Sequence, residues 1–256
     1  MRRIRVIPIL LVKEGRLVKT TNFSNPRYIG DPINTVKIFN EKGVDEIALI
    51  DISAGLQGQQ PNFSLIRDIS SEAFMPFSYG GGIQDFDAAA EILKSGVEKI
   101  IVNSLAFKSR ETLVRIANTF GSQSLVISVD IRKNIFGKYS VYSRSGTKNE
   151  KMSPVNFARS MEENGAGELI IHNIDREGTS KGFDFDLIDS ITSAVNIPCI
   201  ALGGASGLSD FRLAVVEAGA SAVAAGNLFV YNGPHKAVLI NYPSEDKLYN
   251  EIYSKI

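Results

Sequence analysis

An α/β fold, a closed (β/α)8 or TIM barrel built from two half-barrel repeats, is predicted by three features of the 256-residue chain. Short apolar, β-rich runs alternate with amphipathic stretches along its length, there are eight such runs, and the pattern of the first half returns in the second. Strands alternating with helices imply parallel pairing through right-handed crossovers. Eight units in about 250 residues fit a barrel better than an open doubly wound sheet. The open alternative also requires a G-x-G-x-x-G turn after the first strand, which is missing.

In order, the predicted strands are Ile4–Leu11, Glu46–Asp51, Pro76–Gly80, Lys99–Asn103, Leu125–Asp130, Glu168–His172, Pro198–Leu202 and Ala220–Ala225. Helical patterns lie between them, among them Asp87–Ser95, Arg110–Thr119, Ser153–Asn164 and Asp210–Ala218, with Phe157 on a core-facing position. Leu248, Ile252 and Ile256 share one helical face, so residues 243–256 read as a carboxy-terminal helix covering the barrel. Residues 1–256 form one domain, with half-barrels at about 1–121 and 122–242. The repeat is visible in Val44-Asp45-Glu46-Ile47 against Ala166-Gly167-Glu168-Leu169, and in Gly81-Gly82-Ile83 against Gly203-Gly204-Ala205. Both pairs are 122 positions apart (46 against 168, 82 against 204).

Composition narrows the function. Lys+Arg and Asp+Glu are both 28, so no basic excess draws the chain to nucleic acid or an anionic membrane. Hydrophobic residues at 44% and charged residues at 22% are those of a globular protein. Cys199, the single cysteine, follows Pro198 in a buried strand and has no disulfide partner. Two histidines and no Cys/His cluster offer no metal site, and no cofactor is implied. His235, in Gly233-Pro234-His235-Lys236, reads as surface loop. The apolar amino-terminal stretch is too short and proline-interrupted for a signal peptide, and no run approaches a membrane span, so a cytoplasmic protein is expected.

Barrels of this kind bind ligands at the carboxyl ends of their strands. Gly80-Gly81-Gly82 closes the third strand and Asn103-Ser104 the fourth; Gly203-Gly204 closes the seventh and Gly226-Asn227 the eighth. Glycine admits an anion close to the backbone, and the next helical turn offers free N–H groups. Two such places imply an elongated small-molecule ligand with phosphate at both ends. Asp130, sharing a face with Val126 and Ser128, ends the fifth strand either as a proton-transfer group or as a cap. Leu11 stands at the equivalent place on the first strand and transfers no proton. His172 ends the sixth strand facing the mouth, as a ligand contact or as a hydrogen-bonded structural group. By the same alternation Arg5, Lys99 and Glu168 point inward at the opposite end, with Glu46 at their level. Two cations and two carboxylates would ring the floor as a polar plug or as a gate for a small polar molecule, unless the long side chains reach out to solvent instead.

Together these residues resemble the HisF family, the cyclase subunit of imidazole glycerol phosphate synthase. The resemblance runs from Val6-Ile7-Pro8 to about Asn227. It includes Gly15-Arg16-Leu17-Val18-Lys19 with Thr21-Asn22-Phe23, then Asp51-Ile52-Ser53-Ala54, Gly80-Gly81-Gly82-Ile83 and Phe120-Gly121-Ser122-Gln123. It continues through Gly165-Ala166-Gly167-Glu168, Asp175-Arg176-Glu177-Gly178-Thr179, Gly182-Phe183-Asp184 and Gly203-Gly204-Ala205. The resemblance implies a HisH-like class I glutaminase docked under the barrel, whose ammonia crosses to a bisphosphorylated ribosyl substrate at the mouth. It assigns the ammonia gate to Arg5, Glu46, Lys99 and Glu168, a docking acid to Glu98, a flexible-loop lysine to Lys19 and an acid–base group to Asp130. Phosphate contacts fall on Gly82, Asn103, Ser104, Gly178, Gly204, Gly226 and Asn227.

The mouth departs from the family. Its first catalytic aspartate falls on Leu11, a serine before the second glycine pair falls on Leu202, and the serine after the eighth strand on Gly226. Losing one member of an acid–base pair removes about 10²–10⁴-fold of rate. The pattern resembles HisF-like subunits of surface-polysaccharide synthesis, which supply ammonia to an ATP-using sugar N-amidotransferase forming an acetamidino group. The alternative is a genuine cyclase in which Asp51, Asp175 or Glu177 takes the missing role.

Overall fold

The computed structural model describes residues 3–233 and 235–256; Met1 and Arg2 of the amino-terminal stretch and Pro234 of the loop before His235 lie outside them. Eight parallel strands close on themselves: β1 (Arg5–Lys13), β2 (Ile47–Asp51), β3 (Phe77–Gly80), β4 (Lys99–Val102), β5 (Leu125–Lys133), β6 (Glu168–Asn173), β7 (Cys199–Leu202) and β8 (Ala222–Ala225). Each pairs with its neighbours in sequence, and Arg5 to Pro8 pair with Ala222 to Ala225 to shut the sheet. The (β/α)8 barrel is therefore the fold, and closure leaves the parallel sheet no open edge.

Eight principal helices cover it: α1 (Pro32–Glu41), α2 (Phe63–Glu72), α3 (Phe86–Lys94), α4 (Arg110–Phe120), α5 (Pro154–Glu163), α6 (Phe185–Thr192), α7 (Leu208–Val216) and α8 (Glu245–Glu251). Seven begin at a side-chain cap, namely Asp31, Asn62, Asp85, Ser109, Ser153, Asp184 and Ser244, each accepting a backbone N–H of the first turn. Their apolar stripes and the outward faces of the strands make the main core, in which Phe157 and Cys199 are buried. A second apolar cluster fills the barrel itself, from Ile7 and Ile9 through Ala48, Ile101, Val126 and Ile170 to Leu11 and Leu202. Both faces of every strand are buried, which is why the runs read as continuously apolar.

The observed bounds correct the expectations at several places. The carboxy-terminal helix is shorter than 243–256: Ser244 caps it and it breaks at Ile252, after which Tyr253–Lys255 forms a 3₁₀ turn. Pro243 precedes the Ser244 cap and so lies outside the helix. Glu46 precedes β2 rather than opening it, although its side chain still reaches the floor. Antiparallel additions to the sheet were not foreseen. Arg16–Thr21 and Ser24–Gly30 extend β1 as a hairpin, and Tyr139–Ser143 with Lys148–Asn149 extends β5. Both arise on the mouth side and fold over it.

Two close backbone contacts recur 122 positions apart. A Cβ on Gly81 would lie 2.2 Å from the Asp51 carbonyl oxygen, and one on Gly203 would lie 2.5 Å from that of Asn173 (203 against 81, 173 against 51). Both glycines have left-handed φ, 112° and 100°, so glycine is required twice over at each. No helix among the described residues is long and apolar enough to cross a membrane.

Candidate functional site

At the floor, alternation on β1, β4 and β6 turns Arg5, Lys99 and Glu168 inward, and Glu46 joins them from the turn before β2. Arg5 pairs with Glu46 at 2.5 Å and with Glu168, while Lys99 Nζ pairs with Glu46 at 3.2 Å and Glu168 at 3.1 Å. Cations and carboxylates alternate, so each charge touches two of the opposite sign. Ser78 Oγ adds a hydrogen bond to Glu46 at 2.9 Å. The carboxylate side chains are 4% and 6% exposed and the Arg5 side chain 32%, so the ring opens toward the outer, floor side. Burial acts to lower the Arg5 pKa, but its bonds to Glu168 and Glu46 outweigh that and raise it further. Glu98 is exposed beside the ring, between α3 and β4.

Directly above the ring lies a small void lined by Ile7, Ile9, Ala48, Ile101, Val126, Ile170, Ile200 and Ala224, with Glu46 and Ser78 at its base. Its size is that of about one water-sized molecule. The wall is hydrocarbon apart from the base, so a neutral molecule is tolerated there and an ion is not.

The mouth gathers Asp130, His172, Glu177 and Lys19. His172 Nδ1 is 3.5 Å from Asp130 and Nε2 is 3.4 Å from Glu177. Ser128 Oγ donates to Asp130 at 2.7 Å, and the Phe23 ring packs edge-on against the imidazole at 4.9 Å. Burial would strip the imidazolium of its proton, but the two carboxylates outweigh it and hold the His172 pKa up at about 9. Burial likewise acts to raise the Glu177 pKa, and His172 and Lys19 bring it below the ordinary carboxylate value. His172 thus bridges two acids, hydrogen-bonded to Glu177 and within ion-pair distance of Asp130. Ser128 was legible only as an inward position on its strand, Ser78 was not singled out, and Phe23 carried no signal beyond its place in the Thr-Asn-Phe stretch.

Other expected mouth residues are placed differently. Asp51 lies on the outward face of β2 and caps the short helix Ile52–Gln57, accepting from the N–H groups of Ser53 and Ala54 at 2.9 and 3.1 Å and from Ser53 Oγ at 2.6 Å. All three of these bonds fall on Oδ1. Asp175 is exposed at the rim, where it accepts the Lys133 N–H at 2.9 Å and lies 3.8 Å from Arg132. Of the three acids weighed for the missing role, Glu177 alone enters the mouth cluster. Lys19 is not on a free loop: it sits in the strand Arg16–Thr21, is 2% exposed, and donates from Nζ to the Ile9 carbonyl at 3.0 Å. Burial draws its pKa down to about 8, against the opposing pull of Glu177. Leu11 and Leu202 complete the apolar layer beneath.

The two glycine-rich cradles are not equivalent. Gly178, Gly204, Gly226 and Asn227 line one concave pocket, in which Asn227 Nδ2 donates to the Gly178 carbonyl at 2.8 Å. On the other side the hairpin from β5 takes up the polar groups. Asn103 Nδ2 donates to the carbonyls of Ser128 and Tyr142 at 3.0 and 3.1 Å, and Ser104 Oγ accepts the Arg144 N–H at 3.1 Å. Gly82 is packed against Ala54 and the Gln59 carbonyl. Among the described residues no group of three or more His, Cys, Asp or Glu has metal-binding geometry.

Comparison with known proteins agrees with this architecture. The family model for histidine biosynthesis protein matches residues 5–236. The chain is 49% identical over 248 residues to a Pseudomonas aeruginosa protein provisionally named imidazole glycerol phosphate synthase subunit hisF2, covering 97% of this chain and 99% of that one. It is 46% identical over 245 residues to a Leptospira interrogans protein provisionally named as subunit HisF, covering 95% and 96%. It is also 39% identical over 228 residues to the imidazole glycerol phosphate synthase subunit HisF of Alkaliphilus metalliredigens, covering 89% and 90%. The chain thus belongs to the histidine biosynthesis protein family and, within it, to the HisF family.

Proposed function

We propose that this chain is the ammonia-receiving subunit of a glutamine-dependent amidotransferase, working with a HisH-like glutaminase docked on its floor. The closed ring of Arg5, Glu46, Lys99 and Glu168 beneath an apolar bore carries the reading. An alternating ring is held by exchangeable ion pairs, so it opens by rotamer change without backbone movement, and the hydrocarbon above it favours neutral ammonia over ammonium or water. Glu98 and the 87% exposed Phe74 give the floor a charged and an apolar anchor for the partner.

Leu11 in place of the first-strand acid argues that the ammonia is delivered onward rather than consumed by the histidine-pathway cyclisation. The acceptor chemistry would belong to a separate ATP-using sugar N-amidotransferase that forms an acetamidino group for surface polysaccharide in the cytoplasm. The test is to mix the chain with a HisH-like glutaminase. Tight association, stimulated glutamine hydrolysis and no turnover of the bisphosphorylated ribosyl substrate with ammonium are expected. Turnover of that substrate would instead establish the second reading, a genuine cyclase, for which the Asp130–His172–Glu177 cluster would supply the proton transfers. A Leu11→Asp variant that gains turnover would identify a cyclase scaffold disarmed at one position.

A further inference from the structure

The two hairpins over the mouth concentrate positive charge. Residues 13–30 carry four Lys/Arg and one Glu, and residues 131–151 carry six Lys/Arg and one Glu. In a chain with 28 charges of each sign, these two segments hold a net charge of +8 and the remainder −8. Neutrality of the whole chain hides this asymmetry. Lys19 is buried, whereas the other nine cations are exposed or half-buried. Among the described residues their only acid partners within ion-pair distance are Asp175, 3.8 Å from Arg132, and Glu150, 2.9 Å from Lys148. A molecule so divided approaches an anionic surface mouth first.

The second hairpin adds an apolar tip. Beyond its ladder pair Lys133–Tyr139, the adjacent Ile135 and Phe136 are 94% and 87% exposed. The tip is ordered: Asn134 Oδ1 accepts the N–H groups of Phe136 and Lys138 at 3.0 and 2.9 Å, and the Asn134 N–H donates to the Lys138 carbonyl at 2.9 Å. Those bonds hold the apolar pair outward. Behind it stand Arg132, Lys133 and Lys138. From the opposite side of the barrel, β1 brings Lys13, which faces Arg16 across the first hairpin. Val12 pairs with Asp51 as Ile131 pairs with Asn173, 122 positions on from Asp51, so Lys13 stands level with Arg132.

An apolar apex with a basic collar behind it has the layered order of a bilayer surface, hydrocarbon within and anionic headgroups outside. A protein pocket would have to place an acid opposite each cation, whereas the headgroups of a fluid surface gather around them. We propose that the mouth face docks on an anionic membrane surface, with Ile135 and Phe136 entering the acyl boundary and the collar of Arg132, Lys133, Lys138, Lys13 and Arg16 holding the headgroups. Such docking needs no spanning segment and leaves the floor free for a partner. It is also independent of whether ammonia crosses the barrel.

The chain contains no tryptophan, so Phe136→Trp in the full-length protein places a single emitter at the apex. On vesicles of phosphatidylcholine and phosphatidylserine its emission should shift to the blue and be quenched by lipids brominated on their acyl chains. In cosedimentation at about 0.1 M salt, the parent should bind these vesicles at least about tenfold more tightly than phosphatidylcholine alone, and should be released at about 0.5 M salt. Ile135→Ser/Phe136→Ser and Lys133→Glu/Lys138→Glu should each weaken binding at least about tenfold. Both pairs are solvent-exposed, so the thermal midpoint of each variant should stay at the parent value, which separates lost docking from lost folding. Equal binding of the parent to both kinds of vesicle, or full binding by the apex serine variant, would overturn the proposal. So would an unshifted tryptophan emission on vesicle-bound protein, which would return the tip to a protein partner.

Discussion

His172 shows what a single side chain does once two acids flank it. Its folded pKa of about 9 lies above the ordinary 6.5, so its contribution to stability is complete below pH 6.5 and is lost as the pH rises through 9. Lys19 has the opposite sign: its folded value of about 8 lies below 10.5, so its protonated form opposes folding below pH 8 and is relieved between 8 and 10.5. Between pH 6.5 and 8 only the histidine contribution changes, and we expect the urea midpoint to fall there in the parent and to stay level in His172→Asn. With two histidines in the chain, imidazole NMR resolves the titration directly. A midpoint near 9 for His172 that drops in Glu177→Gln is expected, and a midpoint at 6.5 or below would contradict the cluster. The sequence placed His172 and Asp130 at strand ends by alternation alone. Their link through Glu177 was not legible, because a loop brings that residue back over the mouth and no periodicity describes a loop.

At the scale of elements, the strand ends decide what the glycines do. Gly81 and Gly203 each let one strand end pass against the carbonyl of its neighbour, and each has a φ that side chains avoid. Gly203→Ala should therefore destabilise by about 2–4 kcal/mol, and Gly81→Ala by a similar amount, measured by denaturant unfolding. A loss under about 0.5 kcal/mol at either would show that the backbone relaxes freely there. The eight strands and the main helices were readable because burial on both faces gives apolar runs and helices give stripes. The hairpins over the mouth were not, since Ser24–Gly30 and Tyr139–Ser143 are largely exposed or half-buried and lack a clean alternation. That omission matters for the site: it is the first hairpin that carries Lys19 inward and the second that occupies Asn103 and Ser104.

For the molecule as a whole, the floor ring joins β1, β4, β6 and the turn before β2, and so ties together strands far apart in sequence. Glu168→Ala leaves Arg5 and Lys99 with half their partners. The expected cost is about 3 kcal/mol, at the lower end for a broken buried pair because both cations are partly solvated. Alternation placed these four charges at one level of the barrel, but whether they paired or reached solvent was decided only by the structure. Such a loss alone would fit a purely structural plug, so passage through the bore requires its own evidence.

The most direct evidence comes from Ala48, which lines the void and is 2% exposed. Ala48→Phe fills the bore while leaving the floor and its partner surface in place, at about 1–3 kcal/mol of stability. The parent and this variant are each combined with the glutaminase, the sugar amidotransferase, ATP, amide-¹⁵N glutamine and excess unlabelled ammonium. With the parent, the amidino nitrogen should carry predominantly the glutamine label; with Ala48→Phe it should fall to the isotope content of the bulk ammonium while glutamine hydrolysis continues. Equal labelling by the two proteins, or a parent product already at the bulk value, would contradict conduction through the barrel.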